Sequence, residues 1–354
     1  MTRRIYYLIT AVLGVPLFLA VIARAQQKRP QYEVDVKTSM VRIYAMVFDK
    51  NGRIATGLSG NDFQVLDNGV PQQIVNFSNG LREPVSIVLD ADVSQSMKRK
   101  LSFVREAVYN ALAPFPDATE QAKFPDEFSL VRFAARAELA SDFQPPQKLQ
   151  PGTNSFLQPT EGSTALFDSI YLAASELRRE AANQRHAIIL VTDGGDNHSR
   201  YTLSEIRRFL EEEDVPIFPI IASPSMALLD LFSGPSETAT SHSRIRLPSE
   251  FFGGDKDVIG PAERRGPHNL KVLAEETGGE IFKVNRLSQL PDVVESIAVA
   301  LRYSYLIGYQ KPDTGAPHPK NWNGRHTVRI KLVPSEKYAG YLVIAKSGYS
   351  EGYR

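Results

Sequence analysis

Between Pro84 and Tyr303 short, unbroken apolar runs alternate with stretches of helical periodicity, and that alternation narrows the fold more than any other feature of the chain. Val85-Ser86-Ile87-Val88-Leu89 and Ala187-Ile188-Ile189-Leu190-Val191 suit strands buried on both faces of a parallel sheet. Residues 128–133, 215–221 and 280–284 are further strands. Leu101, Val104, Val108 and Leu112 fall at helical spacing, and Leu166, Ile170, Ala173 and Leu177 form a second apolar stripe. Residues 204–213, 270–276 and 290–303 complete the helices. Strands that alternate with helices predict an α/β fold with a doubly wound, mostly parallel sheet.

The flanks read differently. Within 34–48, Val41, Ile43, Ala45 and Val47 alternate with Arg42, Tyr44 and Met46, the period of a half-buried strand. Residues 63–66 and 73–77 flank Asp67-Asn68-Gly69 and predict a hairpin. After Tyr303, residues 304–309, 326–332 and 341–345 carry strand patterns. An α/β domain at 82–301 is therefore expected to be inserted in a smaller all-β domain, built from 26–81 and 302–354. Neither β segment buries enough apolar area alone, so the two are expected to pack together. Segment 223–268 is Ser-, Pro- and Gly-rich and too long for an ordinary connection. It is either a partner-selecting surface loop or an insertion without a role.

Arg3 and Arg4 precede an uncharged, mostly apolar stretch at 5–23, and Ala23-Arg24-Ala25 fits a small-x-small cleavage site. Residues 1–25 thus read as a signal peptide, or as an uncleaved inner-membrane anchor formed by 5–23. Either way the rest is expected outside the cytoplasm, in the periplasm or beyond. The 354 residues carry a net charge of +1, which gives nucleic-acid binding no support. With no cysteine there is no disulfide framework, thiol nucleophile or Cys-ligated zinc.

Three loops concentrate oxygen donors. Asp92-Val93-Ser94-Gln95-Ser96 follows the first apolar run, Thr164 precedes the helix at 165–177, and Asp193 follows the run at 187–191. All three fall at the carboxyl edge of one parallel sheet, where open α/β sheets bind ligands. Carboxylate and hydroxyl oxygens are hard donors that suit Mg²⁺, Mn²⁺ or Ca²⁺. Two carboxylates and three hydroxyls make five donors, which leaves an octahedral ion short of a ligand. An acidic side chain from a protein partner would fill that position.

Asp92-x-Ser94-x-Ser96 with Met97, Thr164 and Asp193-Gly194 resembles the metal-ion-dependent adhesion site of von Willebrand factor A domains. The flanks are similar to a bacterial subfamily, the VWFA-related, Acidobacterial type. They match in Ala45-Met46-Val47-Phe48-Asp49-Lys50-Asn51-Gly52, Asp67-Asn68-Gly69-Val70-Pro71 and Leu301-Arg302-Tyr303-Ser304-Tyr305-Leu306-Ile307-Gly308-Tyr309. The resemblance implies direct ligation by Ser94, Ser96 and Thr164, with Asp92 and Asp193 acting as carboxylates, often through water. Gln95 departs from it, because glycine is usual there. A loop needing positive φ at that position would be strained by Gln. Asp90 lies on the same strand face as Asp92 and either adds charge near the ion or meets a polar neighbour.

Other motifs fail on context. Asp90-Ala91-Asp92-Val93-Ser94 lacks the glycine and bidentate glutamate of an EF-hand loop. Gly348-Tyr349-Ser350-Glu351-Gly352 matches a hydrolase elbow but has no later Asp or His to complete it. No nucleophile and base are placed together, so the expected role is metal-dependent protein binding and not catalysis. The alternative is a structural envelope scaffold with a degenerate metal site.

Overall fold

The structure, a computed structural model, describes residues 40–51, 53–79, 84–115, 125–149, 157–158, 160, 162–223, 261–311 and 324–350, with backbone alone at 261–265 and 350. The expected signal or anchor segment at 1–25 and residues 224–260 of the long segment lie outside the described residues. Among the described residues no helix is long and apolar enough to cross a membrane.

The first β segment holds β1 (Met40–Phe48), β2 (Phe63–Asp67), β3 (Val70–Gln72) and β4 (Ile74–Ser78). The α/β unit follows as β5 (Val85–Asp92), α1 (Leu101–Leu112), β6 (Glu127–Phe133), β7 (Ala137–Gln144), α2 (Leu166–Glu180), β8 (Arg185–Thr192), α3 (Leu203–Glu213), β9 (Ile217–Ala222), α4 (Pro261–Thr277), β10 (Phe282–Val284) and α5 (Leu290–Arg302). The chain closes with β11 (Tyr305–Gln310), β12 (Arg325–Leu332), β13 (Leu342–Ala345) and β14 (Gly348–Ser350).

The central sheet runs β10-β9-β8-β5-β6-β7 and is parallel except for β7. Every side chain of β5 is buried, as its apolar run requires. Ile87, Leu89 and Ala91 pack under Val104 and Val108 of α1 and Ile297 of α5. Val88 joins Ile188 and Leu190 beneath Ile170 of α2, Leu210 of α3 and Leu273 of α4. Helices thus cover both faces, and truncating any one of these side chains would cost about 2–5 kcal/mol for the larger aliphatics. The edge strand β7 has no apolar run, because it is half exposed and its pairing with β6 shifts register twice.

The β segments form two four-stranded sheets, β13-β1-β11-β4 and β14-β12-β2-β3. Strands from before the α/β unit pair with strands from after it in both, β1 with β13, β4 with β11 and β2 with β12. Ile43, Val47, Val65, Tyr305 and Ile330 share one apolar core between the sheets.

The hairpin differs from the sequence expectation. Asn68 and Gly69 take positive φ, as a two-residue turn of primed type requires, but β2 pairs with β3 and not with 73–77. Residues 74–78 leave that sheet as β4. Their Phe77 packs on Phe63 and Tyr305, with ring centroids 5.7 Å away in each case, and the shared core outweighs a longer hairpin.

Candidate functional site

From β5 the chain builds the sheet outward on one side through β6 and β7, and on the other through β8, β9 and β10. The winding reverses between β5 and β8, so a crevice opens beyond their carboxyl ends. Asp92 is the last residue of β5, Thr192 the last of β8, and Asp193 follows it.

Hydrogen bonds tie these loops together. Asp92 Oδ1 accepts the Ser94 backbone N–H at 2.9 Å, and Oδ2 accepts the Thr192 hydroxyl at 2.6 Å. Thr192 Oγ1 accepts the Gly194 N–H at 3.0 Å, which fixes the turn carrying Asp193. The Ser94 and Ser96 hydroxyl oxygens lie 3.3 Å from each other. Thr164 reaches the same edge through its backbone. Its N–H donates to Asn197 Oδ1 at 2.8 Å, and its carbonyl accepts from the N–H groups of Asn197 (3.0 Å) and His198 (3.1 Å). Thr160 N–H donates to the carbonyl of Val93 at 3.0 Å, joining this loop to the one after β5. Asp92, Ser94, Ser96 and Asp193 therefore form one cluster, and the Thr164 loop is bonded to the loops that follow β5 and β8.

Charge at this edge is poorly balanced. Asp92 is fully buried, and burial, then the neighbouring Asp193, push its pKa up to about 7 despite the hydrogen bonds from Ser94 and Thr192. Asp90 turns to α2, where Ser169 donates to its Oδ2 at 2.8 Å, while Oδ1 is buried with no partner among the described residues. Burial holds the Asp90 carboxyl well above the usual carboxylate range, with Asp92 adding to it. Asp90 thus has a polar neighbour in Ser169 and also lies close enough to Asp92 for the two charges to interact. On the other side, Lys100 places Nζ 3.3 Å from Asp193 Oδ2, both side chains being largely buried.

Gln95 carries no strain, because Asn68 and Asp214 are the only non-glycine residues with positive φ among those described. It opens a 3-10 turn, Gln95–Lys100, with its side chain exposed. Residues 196–199 do more than line the surface. Asp196 Oδ1 accepts the Leu166 N–H at 3.0 Å and Ser199 Oγ the Phe167 N–H at 2.9 Å, so the loop after β8 caps α2. Gly194, at φ +91°, lies against Pro267 of α4, and a Cβ on Gly266 would sit 1.7 Å from the Gly194 carbonyl oxygen. Helix α4 begins at Pro261, nine residues before the expected 270, and its Gly266 and Pro267 are seated on Gly194 of the Asp193 loop.

Sequence reasoning missed Thr192, Lys100 and Gly266. Thr192 stands next to Asp193 and was open to notice. Which of Lys98, Arg99 and Lys100 turns inward depends on the phase of a 3-10 turn that no pattern announces.

Oxygen donors, with two carboxylates faced by the single ammonium of Lys100, suit a hard divalent cation. Among the described residues no three His, Asp or Glu side chains are grouped to hold a metal, so an ion here would rest on two carboxylates with hydroxyls.

The sequence matches no protein-family model and no curated protein. Solved structures to which the chain is similar include BatB from Bacteroides thetaiotaomicron, 15% identical, covering 61% of this chain and 98% of that one at a TM-score of 0.42. They include the pilus adhesin SpaC from Lactobacillus rhamnosus GG in an open conformation, 12% identical, covering 70% and 35% at 0.45. A von Willebrand factor type A structure from Catenulispora acidiphila is 13% identical, covering 88% and 74% at 0.41. Likenesses this partial carry nothing about chemistry.

Proposed function

We propose that the crevice between β5 and β8 is a divalent-cation site of the von Willebrand A type, through which this chain binds an acidic group of a protein partner. One observation carries the proposal. A fully buried Asp92 sits beside Asp193 at the point where the sheet reverses its winding, with the Ser94 and Ser96 hydroxyls grouped on the loop that follows it. Asp92, Ser94, Ser96, Thr164 and Asp193 would hold the ion, Mg²⁺ by preference, or Mn²⁺ or Ca²⁺. When bound it supplies the positive charge that draws a partner's carboxylate. Thr192 orients Asp92, and Gly194 keeps the Asp193 turn close to α4. The role is binding and not turnover. Residues 1–25 point to export, with 5–23 as an anchor if uncleaved.

A second reading has its own support. Lys100 already stands on Asp193, so the edge could be held by that pair alone in a structural envelope protein. Electron paramagnetic resonance of the full chain titrated with Mn²⁺ separates the two. The proposal expects saturable bound Mn²⁺, with a spectrum that changes when an aspartate-bearing peptide is added. If all the Mn²⁺ stays free, the scaffold is the surviving reading.

A further inference from the structure

Next to the site lies a groove of about 770 Å³ between the start of β7, the outer face of α2 and the loop before α3. Its continuity with the metal edge is direct. His198 lines it and donates its backbone N–H to the Thr164 carbonyl. Ala135 lines it too, and follows Ala134, whose carbonyl accepts the Ala165 N–H at 2.7 Å.

Arg136, Arg178, Arg179 and Arg200 line the groove, and three carboxylates, Asp168, Glu176 and Glu213, each pair with one of the last three. Three of the guanidiniums are pinned by a single nitrogen. Arg178 Nη1 bonds Glu213 at 3.0 Å, Arg179 Nη2 bonds Glu176, and Arg200 Nε bonds Asp168 at 2.9 Å. Their side chains remain 51%, 57% and 84% exposed, so the other N–H donors of each fork stay accessible. Arg136 is exposed and makes no ion pair among the described residues. Tyr171 and Tyr201 stack at 4.2 Å between centroids and supply an aromatic wall. Guanidinium forks held in place match carboxylates in pairs.

We propose that this groove seats an acidic segment of the protein partner, so that one carboxylate goes to the ion and its neighbours to the arginines. This rests on the function proposed above and extends it to the sequence chemistry of the partner. A carboxylate-rich chain is favoured over an anionic polysaccharide because the crevice at the end of the groove calls for the same group.

The test is fluorescence anisotropy of the full chain with a fluorescein-labelled peptide of alternating glutamate and glycine, at low ionic strength, in Mg²⁺ or in EDTA. Arg136→Gln/Arg200→Gln should weaken binding about tenfold or more under both conditions. Both side chains are exposed, so the fold should stand, and near-ultraviolet circular dichroism checks it. Arg136→Gln alone should give part of the loss. Asp92→Ala should remove the gain due to Mg²⁺. Peptide binding that needs Mg²⁺ and Asp92 yet ignores both arginines would overturn the groove and keep the metal reading. Binding that needs the arginines but never responds to Mg²⁺ would keep the groove and overturn the metal reading. Heparin binding at the arginines, with no peptide binding, would also overturn the proposal.

Discussion

Lys100 sets the cost of placing a cation in the crevice. Its ammonium lies 3.3 Å from Asp193, and an incoming ion must displace it or accept its repulsion. Lys100→Met keeps the packing of the stem and removes the charge, and should tighten Mg²⁺ binding about tenfold by calorimetry. Unchanged or weaker binding would show that the lysine supports the site instead. Glu280 makes a separate prediction about stability. Burial pushes its carboxyl up to about 7 from 4.5, so the folded state holds a proton that the unfolded state loses. Stability is therefore fully present below pH 4.5 and declines as pH rises toward 7. Glu280→Gln should stabilise the chain above that window by about 2 kcal/mol and give no gain at pH 4. Urea melts at the two pH values decide it. The donor residues of the site were legible because Asp-x-Ser-x-Ser and the two later loops follow recognisable strands. Lys100 and Glu280 were not, because burial of one charged residue among several is decided by tertiary packing.

At the scale of elements, helix α4 shows how local chemistry hides a contact. Gly266-Pro267 reads as a break, and residues up to 268 were expected to be loop. In the structure the same pair lets a helix press its backbone against the Gly194 carbonyl, where no Cβ fits. Gly266→Ala should push the Asp193 turn out of place, lower Mg²⁺ affinity and cost about 1–3 kcal/mol of stability. A variant with wild-type melting temperature and metal affinity would mean that α4 does not support the site. The apolar runs behind β5 and β8 were plain from sequence because both faces are covered. The half-exposed β7 and the three-residue β3 and β14 were not, since so short or so mixed a strand has no period to detect.

Across the whole molecule, the strands before and after the α/β unit are interleaved in two sheets, and a buried knot joins four of them. Asp67 of β2 accepts the hydroxyls of Tyr309 (2.9 Å) and Tyr349 (2.8 Å), and its other oxygen lies 2.7 Å from His326 Nδ1. Asp67→Ala would remove the shared acceptor of two buried hydroxyls and the carboxylate beside His326, and should cost about 3–5 kcal/mol in urea melts. A loss below 1 kcal/mol would mean that the knot is incidental to the sandwich. Arg325 of β12 pairs with Glu211 of α3 at 2.8 Å, and Arg185 of β8 lies over the Tyr44 ring at 4.7 Å, so the sandwich also braces the α/β unit. The crevice between β5 and β8 is the part of this assembly that the proposed function depends on. Isothermal calorimetry of the full chain with Mg²⁺, beside Asp92→Ala, tests it most directly. Wild type should bind Mg²⁺ saturably, and Asp92→Ala should bind none while keeping its fold. A wild type with no saturable heat, or an Asp92→Ala chain that binds like wild type, would contradict the metal site.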